Sequence, residues 1–347
     1  MKTTFKPTGQ NIQSLRRIID GNSVLVTGGT GSFGQAFVGH LRALTKPRRL
    51  IVFSRDEFKQ SQMQLSSELA ESPEMRYFIG DVRDQSRLEL ALRDVDIVIH
   101  AAAMKQVATA EYNPFECINT NVIGAENVVR ACLNTDVKRV IALSTDKAVN
   151  PVNLYGASKL AADKIFTAAN HLSSKGGTRF GVVRYGNVAG SRGSVVPLFR
   201  RLAQENVQYM PITDTRMTRF WATLEQVCNF VLSSIVHLEG GEIFVPKIPS
   251  IRITDLATAL APGIAQKEVG IRPGEKLHEA LISEDEGYLT KDCGDYYVIE
   301  PAFDKVFGGK RERPLDGKRM QERFSYVSDE NDEWLDIDTL RALHGTE

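Results

Sequence analysis

The first two hundred residues alternate short runs of β-branched and apolar residues with longer amphipathic stretches. The short runs have the composition of strands buried on both faces, and the longer stretches have the spacing of helices. The runs lie at 23–27, 50–53, 77–79, 96–100, 139–144 and 180–184, and the helical stretches include 33–44, 114–134 and 155–172. This alternation predicts right-handed crossovers and an α/β fold with a Rossmann-type, doubly wound parallel sheet.

The alternation breaks after Tyr185. Residues 186–220 are rich in Gly, Arg and Pro, and then a helical stretch at 223–237 and an apolar run at 242–245 return the chain to the sheet. Beyond Ser250, Pro, Gly and charged residues dominate. We therefore predict two domains: a dinucleotide-binding domain of residues 1–185, which residues 221–249 rejoin, and a smaller C-terminal substrate-binding lobe of residues 186–220 and 250–347.

Composition excludes several classes of partner. The 347 residues carry 43 Lys plus Arg and 43 Asp plus Glu, so no global basic field favours nucleic acid or anionic lipid. Residues 1–17 lack the apolar core of a signal peptide, and no run approaches the roughly 18 apolar residues of a spanning helix. The four cysteines and six histidines form no metal-binding pattern. We expect a cytoplasmic protein with reduced thiols, without a metal, a membrane segment or a nucleic-acid partner.

A glycine-rich sequence, TGGTGSFG, directly follows the first predicted strand and opens a helix. Gly28, Gly31 and Gly34 form a GxxGxxG spacing, a variant of the dinucleotide-binding fingerprint. Glycine permits the tight turn and lets backbone N–H groups at the helix N-terminus approach a pyrophosphate. The residues predicted to bind a dinucleotide here are Gly28, Thr30, Gly31, Ser32, Phe33 and Gly34.

The end of the second predicted strand bears on the choice of cofactor. An enzyme that uses NAD usually has a carboxylate there to accept a hydrogen bond from the ribose 2′-hydroxyl. Ser54 takes that place, and Arg55 and Lys59 supply cations suited to a 2′-phosphate, which predicts NADP. Asp56 lies close by and leaves NAD open as the alternative. The adenine is predicted to face two residues at the end of the third strand, Asp81 and Val82.

Tyr155 and Lys159 are four residues apart and therefore lie on one face of a helix, one turn from each other. A nearby ammonium favours tyrosinate, so we expect Tyr155 to act as a base toward a sugar hydroxyl. Lys159 could also bond the nicotinamide ribose. The pair follows a strand that ends in Leu143-Ser144-Thr145, the context found in extended short-chain dehydrogenases/reductases.

The sequence Thr145-Asp146-Lys147 narrows the reaction. Oxidation of a sugar at C4 acidifies the proton on C5, and loss of the C6 hydroxyl then needs a base at C5 and an acid beside O6. Asp146 and Lys147 could supply that pair, which a 4-epimerase or a reductase does not need. Lys147 must be neutral to act as a base, and we expect burial and neighbouring cations to promote this form.

Linked motifs over nearly the whole chain carry a resemblance to a known family. Among them are FSRDEFKQS, STDKAVNPVNLYGASK, VVRYGNVAGSRGSVVP and IRPGEKLHE. They resemble the inverting UDP-N-acetylglucosamine 4,6-dehydratases that open the pseudaminic acid pathway. The resemblance implies tightly bound NADP that is recycled in each turnover, UDP-N-acetylglucosamine as substrate, and a homo-oligomer. The alternatives are a retaining dehydratase or 4-epimerase, and a non-catalytic NADP-binding protein.

The resemblance also implies roles for individual residues. Thr145 and Tyr155 would handle O4, Asp146 would protonate the departing C6 oxygen, and Lys147 would serve C5. Ala101 and Lys105, in the motif HAAAMKQV, would lie beside the cofactor. The residues implied to bind the sugar and the nucleotide diphosphate are Lys105, Asn187, Val188, Arg192, Arg219, Arg272 and Glu275.

Overall fold

The computed structural model describes residues 9–66, 72–174, 176–190, 195–205, 207–302 and 316–344. The helices in these ranges are α1 (Gly9–Ile19), α2 (Ser32–Leu44), α3 (Glu57–Gln64), α4 (Gln85–Ala91), α5 (Val107–Tyr112), α6 (Pro114–Ile118), α7 (Gly124–Leu133), α8 (Leu154–Ala168), α9 (Val195–Gln204), α10 (Leu224–His237), α11 (Ile253–Leu260), α12 (Glu284–Gly287) and α13 (Ile337–His344). None of these described helices is both long and apolar enough to span a bilayer.

The strands in the same ranges are β1 (Ser23–Thr27), β2 (Arg49–Ser54), β3 (Met75–Ile79), β4 (Ile97–His100), β5 (Arg139–Thr145), β6 (Arg179–Tyr185), β7 (Asn187–Val188), β8 (Met210–Ile212), β9 (Thr218–Ala222), β10 (Ile243–Pro246), β11 (Ser250–Arg252), β12 (Gln266–Glu268), β13 (Ala280–Ile282), β14 (Thr290–Asp292), β15 (Tyr296–Ile299), β16 (Lys318–Arg319) and β17 (Tyr326–Val327).

The large sheet has the order β16-β14-β15-β10-β6-β5-β4-β1-β2-β3. Seven neighbouring strands, from β10 to β3, run parallel, and the three at the other end pair antiparallel. The chain leaves β1 toward β2 on one side and β4 continues toward β5 on the other. The topological switch point of a doubly wound sheet therefore lies between β1 and β4. The predicted Rossmann-type fold is confirmed.

Helices cover the two faces of this sheet. On one face α10 contacts α1 and α2, and on the other α7 contacts α4 and α8. Because both faces are covered, the central strands carry continuous apolar runs instead of an alternating pattern, and every residue of β1 and β4 is buried. This burial explains why continuous apolar runs in the sequence predicted the strands correctly.

A second apolar core lies in the smaller lobe. It joins α9, α11 and α13 with β8 and β9, and its buried side chains include Phe199, Trp221, Ile251, Leu256 and Leu340. The strands β14, β15 and β16 lie in the range that the sequence assigns to this lobe, yet they extend the large sheet. Of the three, β15 pairs directly with β10, whose outer edge would otherwise carry unpaired backbone groups, and β14 and β16 follow it outward. The rest of the predicted division stays a prediction.

The predicted helix at 114–134 contains a π-helical turn at Asn119–Ile123, between α6 and α7. Asn121, in this turn, is buried and turned toward the loop that follows β4. Its side chain accepts a hydrogen bond from the Met104 N–H (2.8 Å) and donates to the Met104 carbonyl (2.9 Å) and to Ser158 Oγ (2.9 Å). Asn121 thus anchors the loop that carries Ala101 and Lys105.

Candidate active site

A cleft of about 1770 Å³ opens at the carboxyl ends of the parallel strands, against the smaller lobe. Ligands of open α/β sheets bind at this edge. Arg192 lies outside the described residues, and the other predicted site residues all line the cleft, although their roles stay predictions. These residues are Gly28, Thr30, Gly31, Ser32, Phe33, Gly34, Ser54, Arg55, Asp56, Lys59, Asp81, Val82, Ala101, Lys105, Thr145, Asp146, Lys147, Tyr155, Lys159, Asn187, Val188, Arg219, Arg272 and Glu275.

The glycine-rich turn has the shape that a pyrophosphate requires. Gly28 has a φ of +65°, and a Cβ there would lie 2.9 Å from the Cα of Ala102. A Cβ on Gly34 would lie 2.5 Å from the Cα of Gly29, because the first turn of α2 packs directly on the loop. No side chain of the described chain caps α2, so its first N–H groups remain available to an anion. The turn therefore fits a dinucleotide.

Two buried polar residues at the switch point escaped the sequence analysis. The Thr27 hydroxyl accepts hydrogen bonds from the N–H groups of Ala101 (3.1 Å) and Ala102 (3.2 Å), and lies 2.9 Å from His100 Nδ1. Burial, with a smaller contribution from Lys159, lowers the pKa of His100 to about 3. His100 is therefore neutral, and Thr27, which it contacts, fixes the loop beside the glycine-rich turn. The sequence signal that could have identified them is that each is a polar residue at the end of an apolar run, Thr27 in β1 and His100 in β4.

At the end of β2, the buried Ser54 is followed by charged residues that form ion pairs. The Lys59 ammonium lies 2.6 Å from a carboxylate oxygen of Asp56, which also accepts the Lys59 N–H and so caps α3. Arg55 is more exposed and lies 3.7 Å from Asp81. Asp56 is therefore engaged as a helix cap, while the guanidinium of Arg55 stays accessible from the cleft.

Helix α8 brings Tyr155 and Lys159 to the carboxyl end of β5. The Asn153 side chain starts the helix by accepting the Gly156 N–H at 2.7 Å. The Lys159 ammonium donates to the Leu143 carbonyl at 2.6 Å. Burial lowers the pKa of Lys159 although Asp163 opposes the shift, and the hydrogen bond to Leu143 directs the side chain at the strand end.

The expected tyrosinate is not the form that the structure favours. Burial raises the pKa of Tyr155 to about 12, although Lys147 and the Thr145 hydroxyl lower it. The phenol is therefore protonated at neutral pH. The cation that assists its ionisation is Lys147 rather than Lys159, because Lys159 points to the backbone of β5.

Asp146 and Lys147 form a short helical turn immediately after β5. One oxygen of the buried Asp146 carboxylate accepts from the Thr145 hydroxyl (2.9 Å) and from the Lys147 ammonium (3.0 Å). The same ammonium lies 3.3 Å from Glu279, and its side chain is 24% exposed, toward the cleft. An acid, a base and a phenol therefore face one space.

The expectation that Lys147 is neutral is wrong. Burial, the largest influence, lowers the pKa of Lys147, and Arg219 lowers it further, but Asp146 and Glu279 together raise it by more. The net pKa lies above the ordinary value for lysine. Lys147 is therefore an ammonium at rest, and its conversion to a base needs a proton acceptor close by.

Glu279 and Lys276 also line or border this space and were not selected from the sequence. Glu279 lies 3.7 Å from the Lys276 ammonium and 4.0 Å from Arg219 Nε. Backbone carbonyls at Thr218 and Leu277 hold the Arg219 guanidinium in place. The motif IRPGEKLHE contains both missed residues, but only the folded chain shows that they reach Lys147.

A doubly wound sheet, a glycine-rich first turn, and a Tyr-x-x-x-Lys helix after the fifth parallel strand define a short-chain dehydrogenase/reductase of the extended type. A family model narrows this class. The model described as "Polysaccharide biosynthesis protein" matches residues 24–301, and the chain belongs to that family.

The relatives of the chain include proteins named for two different activities. A protein of Campylobacter jejuni named UDP-N-acetylglucosamine 4,6-dehydratase (inverting) is 54% identical over 94% of this chain and 98% of its own length. A protein of Rickettsia akari named UDP-glucose 4-epimerase is 42% identical over 80% of this chain and 82% of its own. The solved structure of Pen from Bacillus thuringiensis has a TM-score of 0.83 and 35% identity, with 94% and 98% coverage. The resemblance found in the sequence is confirmed.

Proposed function

We propose that this chain is an NADP-dependent UDP-N-acetylglucosamine 4,6-dehydratase that inverts C5. Its product would be UDP-2-acetamido-2,6-dideoxy-β-L-arabino-hex-4-ulose, the first intermediate of pseudaminic acid biosynthesis. The carrying observation is that the Lys147 ammonium lies 3.0 Å from the buried Asp146 carboxylate, at the strand end beside Tyr155. The Campylobacter relative, named for this activity, supports it. Four free cysteines support a cytoplasmic location.

The cofactor would lie along the strand ends from the glycine-rich turn to Lys159. A bound nicotinamide dinucleotide would supply the oxidation of C4 and the return of hydrogen to C6. The first N–H groups of α2 would hold the pyrophosphate. Arg55 and Lys59 would hold a 2′-phosphate, and Asp81 and Val82 would border the adenine. The ammonium of Lys159, already a donor at the end of β5, would orient the ribose.

Tyr155 would take the proton from O4 as a phenolate, after the phenol has released its own proton to solvent. Its phenol has a pKa of about 12 in the structure, so it needs a cation nearby when it ionises. The Lys147 ammonium is that cation, and the Thr145 hydroxyl adds a polar contact. Oxidation at C4 and the later loss of water thus share one charged residue.

The Asp146–Lys147 pair can create its own acid and base. Transfer of one proton from the Lys147 ammonium to Asp146, over 3.0 Å, gives an amine and a carboxylic acid. The amine takes the C5 proton while the acid gives its proton to the C6 hydroxyl, which leaves as water. The pair then returns to ammonium and carboxylate, so this elimination needs no proton from solvent. C5 takes its new proton from solvent after hydrogen has returned to C6. This cycle overcomes the raised pKa of Lys147 without burial alone having to neutralise it.

The nucleotide part of the substrate would lie toward the smaller lobe. Arg219 has a guanidinium that backbone carbonyls fix near the cleft, and Arg272 and Glu275 form a pair 4.0 Å apart on the loop opposite. A planar guanidinium suits bidentate contact with phosphate. The residues proposed to hold UDP-N-acetylglucosamine are Lys105, Asn187, Val188, Arg192, Arg219, Arg272 and Glu275.

The relatives named as 4-epimerases make epimerisation the second candidate. Mass spectrometry of the product distinguishes dehydration from epimerisation when purified, NADP-loaded protein is incubated with UDP-N-acetylglucosamine. We expect a product lighter by one water, with a 4-ketone. A product of unchanged mass, with the C6 hydroxyl intact and C4 inverted, would identify an epimerase instead. Cofactor binding without turnover would indicate a binding protein.

The cofactor preference is expected to depend on the end of β2. Ser54→Asp combined with Arg55→Ala adds a carboxylate where a ribose 2′-hydroxyl would bind and removes the exposed guanidinium. We expect the ratio of kcat/KM for NADP over NAD, measured on apoenzyme reconstituted with each cofactor, to fall by about tenfold or more. The single variant Glu57→Gln, on the neighbouring helix, is the control. An unchanged ratio in the double variant would show that the 2′-phosphate lies elsewhere.

We also propose a homo-oligomer, supported by an exposed apolar surface on α5, α6 and the π-helical turn. Tyr112 and Phe115 are 88% and 82% exposed, and Ile118 and Ile123 lie further along the same segment. Clustered exposed apolar side chains of this size are typical of protein interfaces. Light scattering during size-exclusion chromatography is expected to show an oligomer that Phe115→Asp weakens, whereas Phe58→Asp, on α3, leaves it intact. A monomeric wild-type protein would contradict the proposal.

A further inference from the structure

Glu279 is a buried carboxylate to which the reaction described so far gives no role. Its side chain is 3% exposed and lines the cleft. One oxygen lies 3.3 Å from the Lys147 ammonium, and the other has no hydrogen-bond partner among the described residues. That second oxygen lies 3.7 Å from the Lys276 ammonium, so the buried carboxylate is surrounded by cations. Its place beside a reactive lysine points to a task there.

The backbone holds Glu279 rigidly. Its N–H donates to Ser328 Oγ at 3.0 Å, and its carbonyl accepts the Ser328 N–H at 2.8 Å. The chain then enters β13, which pairs with β17. The carboxylate is therefore fixed at the end of a paired strand and directed at the turn after β5, and Lys147 is held between it and Asp146.

The charges around Lys147 are nearly balanced. On its own turn lies Asp146, on β9 lies Arg219, on α8 lies the phenol of Tyr155, and from the loop before β13 come Lys276 and Glu279. Two further cations thus accompany the ammonium, against two carboxylates. Without Glu279, one carboxylate would face three cations. The charge of Glu279 therefore decides whether the groups around Lys147 favour its ammonium form or its amine form.

We propose that Glu279 is a positioning residue that holds Lys147 beside Asp146. It governs how readily the Lys147 ammonium passes its proton to Asp146. The inference rests on the proposed dehydratase function. With Glu279 charged, the proton rests on Lys147 and the ammonium stays available to assist Tyr155. The transfer to Asp146 then occurs only when the substrate requires it. Glu279 itself exchanges no proton with the sugar.

The proposal predicts the direction in which the pH profile of kcat moves when Glu279 loses its charge. Dehydration needs the one proton that Lys147 and Asp146 share, so kcat falls at high pH along a basic limb that follows the pKa of Lys147. Glu279 raises that pKa. Glu279→Gln removes the charge and keeps the shape, so the pKa falls and the limb moves to lower pH. We expect a displacement of about one pH unit or more.

The test is the pH profile of kcat for the NADP-loaded enzyme, measured with UDP-N-acetylglucosamine and with its C5-deuterated form, whose isotope effect identifies the C5 step. Glu279→Gln is expected to move the basic limb of that step to lower pH with little change in KM. Glu279→Asp, which keeps the charge on a shorter side chain, is expected to return the limb toward wild type. Glu286→Gln, the matched control, removes a largely buried carboxylate that pairs with Arg184 instead.

The outcomes separate the inference from the function. A limb that stays in place or moves upward in Glu279→Gln, with only a lower kcat or a higher KM, would overturn the positioning role. The same displacement in Glu286→Gln would also overturn it, because it would reflect general loss of packing. If Glu279→Gln fails to bind NADP, the pH profile of Glu279→Asp becomes the test. A limb displaced by one pH unit or more from wild type in Glu279→Asp would then contradict the proposal. A wild-type enzyme that forms no 4-keto-6-deoxy product would refute the proposed function instead.

Discussion

Lys147→Ala is expected to abolish dehydration and leave NADP bound. The substitution removes the group proposed to take the C5 proton and the cation that assists Tyr155, but Lys147 lies away from the glycine-rich turn. Loss of a positioned acid–base group typically costs about 10²- to 10⁴-fold, and here one residue serves two steps, so kcat should fall by at least about 10³-fold. Product formation is measured by mass spectrometry, and NADP affinity by calorimetric titration.

Lys164→Ala is the control for this variant, because Lys164 is an exposed lysine on α8. It should retain wild-type kcat. A folded Lys147→Ala protein that has lost NADP would place Lys147 at the cofactor rather than at the sugar. One that still dehydrates at near the wild-type rate would assign the C5 proton to another residue.

The second large effect is expected in the first turn of α2. A Cβ at Gly34 would lie 2.5 to 2.6 Å from backbone atoms of Gly29, which no side-chain rotation can relieve. Gly34→Ala should therefore displace the helix from the loop and misalign its N–H groups. We expect NADP affinity to fall by about 100-fold, with a loss of about 1–3 kcal/mol in the free energy of unfolding.

Gly39→Ala provides the matched control in the same helix. A Cβ there would meet no atom within 4 Å, and alanine favours a helix over glycine by roughly 1 kcal/mol. This variant should keep full NADP affinity and be equally or more stable in thermal unfolding. Equal affinity in the two variants would contradict the close packing of α2 on the glycine-rich turn.

Much of the cofactor end could be predicted from the sequence because its determinants are local. Buried parallel strands need continuous apolar runs, and all six predicted runs became strands of the large sheet. The glycine-rich turn, Tyr155 and Lys159 are each set by a few neighbouring residues. Since the carboxyl ends of parallel strands share one edge, residues that follow different strands meet there.

The charge state of the site could not be predicted, because it depends on residues distant in sequence. Glu279 follows Lys147 by more than a hundred residues, and it is this carboxylate, with Asp146, that outweighs burial and keeps Lys147 protonated. The pairing of β14, β15 and β16 with the large sheet was missed for a related reason. Short, partly exposed strands carry a weak pattern, and β15, the one that joins the edge of β10, lies about fifty residues beyond it in sequence.

The central claim is that a transient C4 ketone lets Asp146 and Lys147 expel water across C5 and C6. Turnover of UDP-N-acetylglucosamine in heavy water, followed by NMR of the product, tests it most directly. The account predicts a 4-keto-6-deoxy sugar of L-arabino configuration that carries one deuterium at C5. A product of D-xylo configuration would contradict inversion, and a sugar that retained its C6 hydroxyl would contradict dehydration itself.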